Sequence, residues 1–102
     1  MGLAPEVVSE TLRLFGSGEA LDVQQLLEKA HLPLLNGAEM SLERARVHMA
    51  ALKRSGGSVE SLRNALQIAS TDWRDLLVAA GLAGSDWRDV LSREGFLVPA
   101  GP

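Results

Sequence analysis

Four carboxylates crowd the C-terminal third of this 102-residue chain in two matching groups, Asp72-Trp73-Arg74-Asp75 and Asp86-Trp87-Arg88-Asp89. Paired carboxylates can hold a divalent cation or divide acid and base roles, and an indole can stack on a ligand. The spacing argues for structure instead. Each group sits in a longer block, Ser70-Thr71-Asp72-Trp73-Arg74-Asp75-Leu76-Leu77 and then Gly84-Ser85-Asp86-Trp87-Arg88-Asp89-Val90-Leu91. A hydroxyl and an Asp precede a large apolar residue, a second Asp falls in the first turn, and Gly81 or Gly95 closes the unit. That is the grammar of a capped helix, where acidic groups meet unpaired backbone N–H groups and the positive end of the dipole. The alternating oxygen ligands and central glycine of a calcium loop are absent. Apolar residues at i+3 and i+4 put Trp73 and Trp87 on buried stripes, which leaves Arg74 and Arg88 outward beside the Asp residues.

Other chemistry has less to work with. The chain has no cysteine, which removes a disulfide framework, a thiolate nucleophile and a sulfur-ligated zinc site, and fits a reducing compartment. His31 and His48 are the only histidines. His31 precedes a proline at a helix end and His48 adjoins Met49, and neither lies near a nucleophile elbow or a phosphate-cradling glycine motif. No catalytic residue, metal site or cofactor is expected, and the chain is read as not an enzyme.

The elements that position these residues read as helices throughout. Residues 5–15 open with Pro5 and repeat Val8, Leu12 and Phe15 at helical spacing until Gly16-Ser17-Gly18. A second helix is expected over 22–31, with Val23, Leu26, Leu27 and Ala30 inward, before Pro33 and the Asn36-Gly37 turn. A third spans 41–54 with Leu42, Ala45, Met49 and Leu52 on one face. A fourth begins at Ser58 with Val59, Leu62, Leu66 and Ala69 inward, and the repeated units supply two short helices. No segment alternates as a strand would. The expectation is an all-α compact bundle of five or six short helices, one domain over residues 1–97 with a frayed tail at 98–102 and Leu97 already loose. A composition 46 % hydrophobic and 23 % charged suits such a domain.

Charge is unevenly placed. Residues 1–40 carry six carboxylates against Arg13 and Lys29, whereas residues 41–63 carry Arg44, Arg46, Lys53, Arg54 and Arg63 against Glu43 and Glu60. The third helix is therefore a basic amphipathic segment, of a kind that binds phosphates, acidic partners or membrane surfaces, or simply complements acidic neighbours. Nucleic-acid binding through Arg44, Arg46, Lys53 and Arg54 is the alternative reading of function, set against a net charge of −3. A helix-turn-helix over residues 58–80 would present Asp72 and Asp75 to phosphate, which repels it.

No apolar run approaches the roughly 20 residues of a membrane helix, the opening lacks a basic signal-peptide start, and Glu6 stands where myristoylation of Gly2 would want Ser or Thr. A cytoplasmic protein without a membrane partner is expected.

The run from Thr71 to Gly81, with its Asp-aromatic-Arg-Asp start, resembles the closing segment of small, functionally uncharacterised bacterial helical proteins. The resemblance implies an all-helical protein and brings no functional residue with it. Asp72-Trp73-Arg74 followed by leucines and Gly81-Leu82 is also similar to the second helix of death-fold adaptor domains. Those continue with several more helices where this chain ends soon after Phe96, so their function is not carried over. The remaining expectation is a non-enzymatic protein–protein interaction or adaptor module. Its contacts with an unidentified partner or a second copy would use Leu34, Leu35, Val78, Arg74 and Arg88.

Overall fold

The computed structural model describes residues 3–30 and 40–97, and within them the chain is helical with no strand. Five helices follow one another: α1 (Pro5–Lys29), α2 (Met40–Ser55), α3 (Val59–Thr71), α4 (Trp73–Ala80) and α5 (Trp87–Arg93). All five contribute to one apolar core, which includes Val7, Leu27, Met49, Leu62, Leu76 and Leu91.

Helix α1 is two limbs in one. Gly16 has φ 72° and ψ 172°, a conformation only glycine takes without strain, and it breaks the helical path. Across the break the Gln24 amide donates to Thr11 Oγ1 at 2.9 Å. Thirteen residues of straight helix would hold those side chains about 20 Å apart, so the limbs fold back on each other. The stop expected at Gly16 is there, but the second limb resumes directly after it rather than at Asp22. A single left-handed residue makes the turn, and buried Ala20 anchors the next one.

The first limb also corrects the expected stripe. Val7, Glu10, Thr11 and Phe15 face the core, while Leu12 is 49 % exposed and Val8 half-buried. Burying two polar residues is tolerable because both are satisfied. Thr11 donates to Val8 O at 2.6 Å and accepts from Gln24, and Glu10 accepts from Arg13 and from the backbone of Leu97.

Helix α2 departs furthest from expectation. In place of one apolar face and one basic, solvated face, it packs against α1, α3 and α4, with Ala45 and every residue from Val47 to Leu52 buried. Alanines at 45, 50 and 51 let neighbouring helices approach from several sides. Helix α3 matches its expected pattern: Ser58 caps it by accepting the Ser61 N–H, and Leu62, Leu66 and Ala69 are buried.

Candidate functional site

The two repeated blocks fold alike. In each, a Trp opens a short helix, a Leu four residues on is buried, and a Gly eight residues on takes a left-handed φ, 75° at Gly81 and 85° at Gly95. The closing bonds match as well. Leu82 N–H donates to Leu77 O at 2.8 Å and Gly81 N–H to Val78 O at 3.1 Å; Phe96 N–H donates to Leu91 O at 2.9 Å and Gly95 N–H to Ser92 O at 3.1 Å. Both ends are therefore Schellman motifs, with Leu82 or Phe96 folded back toward the Leu of its own unit.

The starts of the units differ. Asp72 caps α4, its side chain accepting the Arg74 N–H at 3.0 Å and the Arg74 guanidinium at 3.1 Å. That guanidinium, with the backbone N–H, holds the Asp72 carboxyl below the usual carboxylate range. Asp86 makes no such cap bond. Trp87 is buried with guanidinium carbons on its ring, Arg88 at 4.7 Å and Arg46 at 5.4 Å from the centroid. Trp73 is half-buried, and its indole N–H has no acceptor among the described residues.

Helix α2 supplies what fastens these units down. Arg46 donates to Leu82 O from Nε at 2.9 Å and from Nη2 at 2.6 Å, and to Gly84 O at 3.2 Å. One turn pair further along, Lys53 donates to Ala80 O and pairs with Glu94 at 2.9 Å. The opposite neighbour is treated the same way: Arg44 donates to Glu28 O at 3.0 Å and His48 Nε2 lies 3.0 Å from Leu27 O. Arg44 and His48 thus close the carbonyl end of α1 and Lys53 that of α4, while Arg46 holds the carbonyls of the link that follows α4; Arg44 and Lys53 stand at ends where a cation is favourable.

His48 is 1 % exposed. Desolvation by burial, with the nearby Arg44 charge, lowers its pKa from 6.5 to about 4, against the opposing effect of its bond to Leu27. The ring is neutral at pH 7, so Nε2 carries the hydrogen given to Leu27 O.

These contacts place the sequence-derived site residues. Of the four cations of the nucleic-acid reading, Arg44, Arg46 and Lys53 are engaged with carbonyl groups of the same chain, and Arg54 alone is exposed without such a bond among the described residues. Of the partner-binding set, Arg74 and Val78 share the outer face of α4 at i and i+4, and Val78 is 68 % exposed. Arg88 lies apart from them, half-buried on Trp87. Leu34, Leu35 and His31 lie outside the described residues. Sequence reasoning missed Leu21, 70 % exposed on α1, because it stands one position ahead of the helix expected to begin at Asp22.

Among the described residues no group of three or more His, Asp or Glu side chains is arranged to hold a metal ion, and no helix is long and apolar enough to cross a membrane. A cleft of about 320 Å³ lies between the second limb of α1 and the start of α3, lined by Glu19, Asp22, Leu26, Lys29, Val59 and Arg63. It is open and contains no nucleophile beside a base. Compared with protein-family models, curated proteins and solved structures, the chain matches none.

Proposed function

We propose that this chain is a non-enzymatic protein–protein interaction module whose contact surface is the outer face of α4. The observation that carries the reading is Val78, a large apolar side chain left 68 % exposed one turn from Arg74 on a helix whose opposite side, Leu76, Leu77 and Ala80, is buried. An isolated exposed valine is ordinary, but here it stands on a short helix fixed at both ends, by the Asp72 cap and by the Gly81 closure with Lys53 on Ala80 O. A rigid element loses little conformational freedom when a partner docks, which favours binding. The absence of cysteine fits work in the cytoplasm.

Nucleic-acid binding is the weaker reading, since α2 spends three of its four cations on backbone carbonyls within the chain. Capture of partners from the lysate of the source organism, with and without nuclease, tests the choice. The interaction reading expects a protein that stays bound after nuclease treatment; loss of everything bound would return Arg44, Arg46, Lys53 and Arg54 of α2 to the front.

A further inference from the structure

The second limb of α1 carries a charge pattern that no contact among the described residues uses. Glu19 and Asp22 stand toward its start and Lys29 at its end, with Arg63 of α3 across the shared cleft. None of the four makes an ion pair with another described residue, and all four are exposed. Leu26 and Val59 form the apolar floor between them, both half-buried against the core.

We propose that this face is a homodimer interface in which the second limbs of α1 from two copies lie antiparallel across the cleft. A two-fold contact must be self-complementary, so that residue i meets j while j meets i. The limb meets that condition by its sequence order. Glu19 and Lys29 are ten residues apart, about 15 Å of helix, so an antiparallel copy centred at the level of Gln24 sets each acidic end against the partner's basic end. A parallel arrangement would set Glu19 and Asp22 against their own copies and is repelled. Charge complementarity thus specifies both the occupant, a second copy, and its direction. The inference does not depend on the α4 face.

Charge exchange tests it, read by sedimentation velocity of the full chain from about 10 μM to 1 mM at low salt, where exposed pairs are least screened. The wild type is expected to shift from monomer to dimer over that range. Glu19→Lys with Asp22→Lys, and separately Lys29→Glu with Arg63→Glu, each make the face single-signed and are expected to stay monomeric. An equimolar mixture of the two double variants restores a dimer, and so does the quadruple variant, whose reversed pattern is again self-complementary. Far-UV circular dichroism of every variant verifies that the helices are intact, as substitution at four exposed positions predicts.

A wild type that stays monomeric at 1 mM overturns the proposal. So does a dimer that survives either double variant, or a mixture that fails to reassociate. A dimer lost on Val78→Lys but indifferent to the charge exchanges would overturn it while favouring the α4 face. Failure to capture any partner beside a charge-sensitive dimer would remove only the reading of α4.

Discussion

The Glu10 carboxylate, 1 % exposed on the first limb of α1, accepts the backbone N–H of Leu97 at 2.7 Å, joining residues 87 positions apart. Its second oxygen accepts from Arg13, whose guanidinium carbon lies 5.1 Å from the centroid of the Phe96 ring. The end of the α5 unit is therefore tied to the start of the chain, and Leu97 is held where a frayed tail was expected.

Replacing Glu10 by Ala removes a charge-assisted acceptor from a buried position and leaves the Leu97 N–H unpaired. The expected cost is about 1–3 kcal/mol in urea unfolding. Hydrogen exchange should show the Leu97 amide losing protection, with the amides of α3 little changed.

His48 makes stability depend on acid. Its folded pKa of about 4 lies below the unfolded value of 6.5, so between those values the unfolded chain binds more protons. The stabilisation is complete above pH 6.5 and is lost as pH falls toward 4, on the order of 3 kcal/mol in all. Unfolding free energies measured across that window should decline, and His48→Leu should flatten the decline.

Gly81 and Gly95 close equivalent motifs with left-handed backbones, so each substituted by Ala should cost about 1–2 kcal/mol. Thermal unfolding of the two single variants should give similar losses. A large difference between them would mean that the repeated units are not structurally equivalent.

Arg46→Ala strips donors from Leu82 O and Gly84 O and a cation from the Trp87 ring, at an expected cost of about 2 kcal/mol with a shift in tryptophan emission. Arg46→Lys should recover little, because an ammonium cannot span two carbonyls in a plane while stacked on an indole.

What could be read from the sequence was what local chemistry determines. The repeated units, the Asp72 cap and the glycine ends, the break at Gly16 and the Ser58 cap all rest on residues a few positions apart, whereas Asp86 makes no cap bond. The inward face of the first limb could not be read that way. Glu10 and Thr11 are buried because their partners, Leu97 and Gln24, lie 87 and 13 residues off. The same holds for α2, whose charges suggest a solvated face until the carbonyls of residues 27, 28, 80, 82 and 84 are brought to them. Within the candidate site, Val78 could be picked out as an apolar residue beyond the α4 stripe. Leu21 could not, because its helix begins before Asp22.

The most direct measurement is quantitative capture from lysate with wild-type chain and with Val78→Lys, a change the carbonyl end of α4 accommodates because it welcomes a cation. An interaction module acting through α4 predicts a nuclease-resistant partner retained by the wild type and reduced at least tenfold by the variant, with unfolding unchanged. Equal retention by both chains would contradict the assignment of that face.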